Sequence, residues 1–111
     1  MKFAVTKNGK ATLLKLSGRK LDASNCSELK AEFLVLCKPK VTEKLIVDMK
    51  EVQFCDSSGL SALLIADRAM REHGGTVYLV HVHQKVMDLM KISQLDRVFT
   101  INDTVDDAVN N

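Results

Sequence analysis

An α/β fold, with a mixed sheet of about five strands packed by about four helices, is the architecture this chain predicts. Three observations carry that expectation. Strand-like and helix-like hydrophobic periods alternate along nearly all of the 111 residues. Leu45-Ile46-Val47 is a compact apolar run of strand length, as expected of a central strand covered on both faces. Between Val47-Asp48-Met49 and Asp56-Ser57-Ser58-Gly59-Leu60 an apolar strand stops, a polar elbow follows, and a helical period starts on two hydroxyls. The length suits one domain, residues 1–111, which would bury roughly two-thirds of the surface its unfolded chain exposes.

The elements follow in order. Lys2 to Thr6 and Ala11 to Leu16 read as strands joined by Lys7-Asn8-Gly9-Lys10, whose Asn-Gly pair predicts a tight hairpin. From Asp22 or Ser24 onward Cys26, Leu29, Phe33, Leu36 and Cys37 recur at helical spacing. Asp22 is the expected cap, Glu28 and Glu32 lie early, and Pro39 follows the expected end. After the apolar strand, a second helix should run from Ser57 to His73 on a face of Leu60, Leu63, Leu64 and Met70, stopped by Gly74-Gly75. Thr76 to Val82 reads as a strand and Gln84 to Ile92 as a helix with Val86, Leu89 and Met90 inward. Val98 to Ile101 is a short strand, and Asp103 to Asn110 a last helix whose acidic residues form a solvated face. The predicted order is β-β-α-β-α-β-α-β-α.

Composition excludes several functions. The 16 basic and 14 acidic residues leave a net charge of +2, and no basic cluster is interleaved with aromatics, so nucleic acid is not an expected partner. Met1 to Lys7 turns polar before a signal-like run develops, and no stretch is long enough to cross a bilayer; the expectation is a cytoplasmic protein without direct membrane insertion. Cys26, Cys37 and Cys55 are odd in number and widely spaced, which suits buried free thiols. No GxSxG, Walker loop, GxGxxG or HExxH occurs, and neither Ser57 nor Ser58 has a His nearby in sequence, so no enzyme is expected. His81 and His83, two apart on an expected strand, share a face in a spacing zinc uses, but a third ligand is missing. His73 suits a helix C-terminus, and Met70, Met87 and Met90 suit a core. Neither metal nor cofactor is expected, and Asp48 reads as a hydrogen-bond acceptor at its elbow.

The elbow before the second helix is the candidate site. The first N–H groups and the positive dipole end of a helix favour negative charge, so a phosphate on Ser57 would be tolerated there. By spacing alone, Ser57 or Ser58 is more simply a helix cap. Gly59 either lets a partner's backbone or a nucleotide approach or relaxes the helix's first turn.

Ile46-Val47-Asp48, Val52-Gln53-Phe54, Asp56-Ser57-Ser58-Gly59-Leu60, Gly74-Gly75 and Ser93 to Phe99, with Leu21-Asp22-Ala23-Ser24 before the first helix, together resemble a STAS domain of the anti-sigma factor antagonist type. The resemblance spans nearly the whole chain. It implies a bacterial partner-switching module whose unphosphorylated form sequesters an anti-sigma factor serine kinase and releases a sigma factor for transcription. It also implies phosphorylation at Ser57, with Ser58 the second choice, a PPM-type serine phosphatase as the reversing partner, and a binding surface of Asp22, Asp56, Ser57, Ser58, Gly59 and Leu60. A related expectation is a non-catalytic subunit of a transporter or stress-signalling assembly. The chain departs from the pattern at Cys55, at Lys20, and at Ser93-Gln94-Leu95, which lacks the glycine the family often carries there.

Overall fold

A computed structural model describes residues 2–38 and 42–111. Its main sheet has five strands in the order β1-β2-β4-β6-β7: β1 (Lys2–Asn8), β2 (Ala11–Ser17), β4 (Lys44–Asp48), β6 (Thr76–Val80) and β7 (Thr100–Asn102). Only β1 runs antiparallel to its neighbour. The remaining strands, β3 (Lys20–Leu21) and β5 (Phe54–Cys55), form a separate parallel pair beside it. The helices are α1 (Cys26–Leu36), α2 (Ser57–Arg71), α3 (Gln84–Ile92) and α4 (Val105–Asn110), with a 3-10 turn at Leu95–Arg97. The mixed α/β sheet with four helices is therefore as expected, and the small second sheet is additional.

Each parallel step moves to the adjacent strand, so the crossover helices collect on one face. Leu14, Leu16, Leu45, Val47, Val77 and Leu79 point to that face and pack with Leu29 and Phe33 of α1, Leu63 and Met70 of α2, and Val86 and Met90 of α3 in one continuous core. The opposite face is smaller: Ile46, Tyr78 and Val80 pack under Ala108 of α4. Because β4 and β6 are covered on both sides, their inner stretches, Leu45-Ile46-Val47 and Val77-Tyr78-Leu79-Val80, are hydrophobic without alternation. Lys44 fastens α4 to this face. Its Nζ donates to the carbonyls of Ala108, Val109 and Asn111, each at 2.9 Å, and stands 5.0 Å from the Tyr78 ring centroid.

Several expected boundaries move for physical reasons. The hairpin register pairs Asn8 with Ala11, so the loop is Gly9-Lys10 rather than Asn8-Gly9, and Gly9 takes φ +63° as the first loop residue. The first helix starts at Cys26, because Asp22 to Asn25 form a separate turn. The expected stop at Pro39 lies outside the described residues. The strand after α2 ends at Val80, since His81 has φ +56° and leaves the sheet. His81 and His83 therefore do not share a strand face: His81 Nδ1 lies 2.9 Å from Asp48 Oδ1, and His83 Nε2 lies 2.7 Å from the Lys50 carbonyl. Asp48 is an acceptor, taking the Lys50 N–H as well. The last strand shifts to Thr100–Asn102, and the last helix starts at Val105 rather than Asp103, capped by Thr104, whose Oγ1 accepts the Asp107 N–H.

Candidate functional site

The elbow before α2 is built by the β3–β5 pair. Lys20 is in register with Phe54 and Leu21 with Cys55, and the Asp56 N–H donates to the Leu21 carbonyl at 3.2 Å. The two strands thus deliver Asp22 and Asp56 to one edge. Both line a cleft of about 280 Å³ with Lys20, Leu21, Phe54 and Cys55.

Asp56 is the N-cap of α2: its Oδ1 accepts the Gly59 N–H at 3.0 Å and its carbonyl accepts the Leu60 N–H. Neither serine is therefore needed as the cap, which removes the simpler reading of Ser57 and Ser58. Ser57 is exposed and Ser58 partly so. Ser57's carbonyl accepts from the Ser61 hydroxyl at 2.9 Å, while its own hydroxyl faces solvent at the positive end of a 15-residue helix.

Gly59 is buried, and its role is internal. A Cβ there would lie 2.5 Å from the Leu21 carbonyl oxygen and 2.6 Å from Cys55 Sγ. The absent side chain lets α2 press directly on β3, so the close neighbour is this chain's own strand. Leu60, 4% exposed, points into the core beside it. Of the six candidate residues, Asp22, Asp56, Ser57 and Ser58 reach the surface, whereas Gly59 and Leu60 hold that surface from beneath.

Asp22 does not cap α1. Its Oδ1 accepts both the N–H and the hydroxyl of Ser24, and its carbonyl accepts from Asn25 and Cys26. The Ser24 contacts, helped by Lys20, hold the Asp22 carboxyl below its usual value. Asn25 completes the turn, its Oδ1 accepting the Asp22 N–H and its Nδ2 donating to the Lys20 carbonyl. Burial pushes the Cys55 thiol up to about 12, with the Asp56 charge adding to it, and Cys37 up to about 11. Both stay protonated at neutral pH and are poor nucleophiles.

In the sequence Ser24 marked only a possible helix start and Phe54 only part of the family resemblance, and neither Asn25 nor Arg19 stood out. The available signal was the parallel between Leu21-Asp22 and Cys55-Asp56, two short segments each ending in an aspartate before a helix.

Among the described residues no helix is long and apolar enough to cross a membrane, and no three His, Cys, Asp or Glu side chains are grouped to hold a metal ion.

The STAS domain model matches residues 2–108, and the chain belongs to the STAS domain family. Solved structures share the fold. An anti-sigma-factor antagonist domain protein from Planctomyces limnophilus superposes with a TM-score of 0.88 at 19% identity, covering 97% of this chain and 94% of that one. SpoIIAA, a Bacillus cell fate determinant, in its phosphorylated form gives 0.75 at 18%, covering 98% and 97%. The murine anion transporter Slc26a9 gives 0.77 at 20%, covering 95% of this chain but only 18% of the transporter.

Proposed function

We propose that this chain is an anti-sigma factor antagonist that works in the cytoplasm as a phosphorylation-controlled binding module. The observation that carries the reading is Ser57: an exposed hydroxyl one residue past a cap that Asp56 already supplies, at the positive end of α2. Unphosphorylated, the surface of Asp22, Asp56, Ser57 and Ser58 binds an anti-sigma factor serine kinase, which frees a sigma factor and so regulates transcription. Phosphate on Ser57 adds about −1.5 to −2 charges beside two aspartates. Burying that charge without compensating cations costs several kcal/mol, comparable to much of the ~8 kcal/mol of a micromolar complex. Gly59 and Leu60 keep the elbow rigid, so the switch needs little internal rearrangement.

In this reading the chain is the substrate of a kinase and of a PPM-type phosphatase, and catalyses neither step. Its own chemistry supports that: Cys55 is held as a neutral thiol, and His81 and His83 are turned to Asp48 and the Lys50 carbonyl.

The test is phosphosite mapping of protein isolated from its own cells in growth and stress, with kinase binding by Ser57 variants. Occupancy at Ser57 should change with condition, Ser57→Ala should keep binding the kinase, and Ser57→Asp should lose it with the fold unchanged. Equal binding by the two variants would contradict the charge argument. The likeness to part of an anion transporter favours a second reading, a constitutive subunit of a membrane assembly. A chain unmodified in every condition that co-purifies with transporter subunits would select it.

A further inference from the structure

We propose that Phe54 is the aromatic anchor of the partner interface, and that the partner segment it receives is an apolar side chain flanked by carboxylates. The proposal rests on the partner-switching reading and names the chemistry that site selects.

Phe54 is 53% exposed although it lies in β5, and it is the wall shared by three clefts. The first is the acceptor cleft with Asp22 and Asp56; the second runs past Arg19 and Lys20; the third reaches His83 and Lys85. A ring standing between depressions offers its edge and the face that Lys85 leaves open to an incoming apolar group, and aromatic side chains of this size dominate interface energetics once a partner buries them. Lys85 Nζ sits 4.9 Å from the ring centroid, which limits the ring's freedom before any partner arrives.

Charge selects the occupant. Near the ring, both carboxylates already accept hydrogen bonds from this chain: Asp56 from the Gly59 amide, Asp22 from Ser24. Lys20 acts on Asp22 and Lys85 sits over the ring, yet three cations stand against two carboxylates in the lining of these clefts. Arg19 Nη2 donates to the neutral Gln53 Oε1 at 3.0 Å, and among the described residues no ion pair includes Arg19, Lys20 or Lys85. The three clefts around the ring therefore carry Arg19, Lys20 and Lys85 against Asp22 and Asp56, a positive excess that an acidic segment around an apolar centre complements. An acidic segment docked beside neutral Ser57 is also the kind that a phosphate there would repel.

The test places photoreactive benzoylphenylalanine at position 54 in the protein's own cells, maps the cross-linked peptide, and then measures the purified kinase's binding to Phe54→Ala, Phe54→Leu and the Arg19→Glu/Lys85→Glu double variant. Expected are a cross-link to an Asp/Glu-containing segment of the kinase that phosphorylates Ser57, a loss of about tenfold or more for Phe54→Ala and a smaller one for Phe54→Leu. The double variant should also lose affinity, more so at low salt. Unchanged unfolding midpoints identify these as interface effects. A kinase that modifies Ser57 yet binds Phe54→Ala as tightly as the parent overturns the anchor and leaves partner switching standing. Cross-linking to a basic segment or to lipid overturns the acidic occupant. With no kinase acting on Ser57 and no protein cross-link at position 54, anchor and partner switching fall together.

Discussion

The starts of α1 and α2 lie at the same edge of the molecule, each reached through a two-residue strand and an aspartate, yet they use their polar groups in opposite ways. Before α1, Asp22 binds the hydroxyl and amide of Ser24, Asn25 closes the turn against Lys20 and Asp22, and no side chain caps the helix. Before α2 there is no such turn: Asp56 caps the helix directly, Gly59 is pressed on Leu21, and Ser57 is left to solvent. One start uses its serine to build itself. The other is secured by aspartate and glycine, which leaves its serine available for chemistry. Which serine stays exposed thus depends on which neighbours have already satisfied the local backbone, as much as on the serine itself.

Gly59→Ala attacks the α2 start hardest. The methyl collides with the Leu21 carbonyl, and overpacking of up to ~3 kcal/mol, offset by about 1 kcal/mol of helix preference for Ala, should leave a loss of about 2 kcal/mol in urea unfolding. A variant as stable as the parent would show that β3 can retreat from α2. Next comes Asp56→Ala, which should cost about 1 kcal/mol and raise amide exchange in the first turn of α2, making that start resemble the uncapped α1. Unchanged exchange at Gly59 and Leu60 would contradict the cap. The smallest effect is at the other start. Because Ser24 holds the Asp22 carboxyl low, the pair's stabilisation is present above that group's usual value near 3.8 and fades as pH falls through the lowered one. Ser24→Ala should move the Asp22 titration upward by NMR; an unmoved titration would remove Ser24 as its cause.

Much of the fold was legible because its determinants are periodic. Leu29, Phe33 and Leu36 mark the inner face of α1, and Leu60, Leu63 and Met70 that of α2, as their spacing indicates. The Asp56-Ser57 elbow was legible as a strand that ends where a helix begins. The β3–β5 pair was not, since two residues carry no period and the pairing joins segments far apart in sequence. The role of Asp22 was misplaced for a related reason: Asn25 and Ser24 satisfy it locally, and side-chain turns of this kind compete with capping. Gln94 makes a further point. It adopts φ +63°, a left-handed conformation costing about 1 kcal/mol or more, and no hydrophobic period marks such a position.

The clamp at Lys44 has a consequence for synthesis on the ribosome. Its ammonium lies at the first residue of a central strand, while the farthest carbonyl it holds is 67 residues later. The crossover face can assemble while the chain is still emerging, but the second face cannot close until the last helical turn has cleared the exit tunnel. For that interval Ile46 and Tyr78 lack the cover that Ala108 gives them, an apolar surface whose lifetime is set by translation rate rather than by the folding of the sheet.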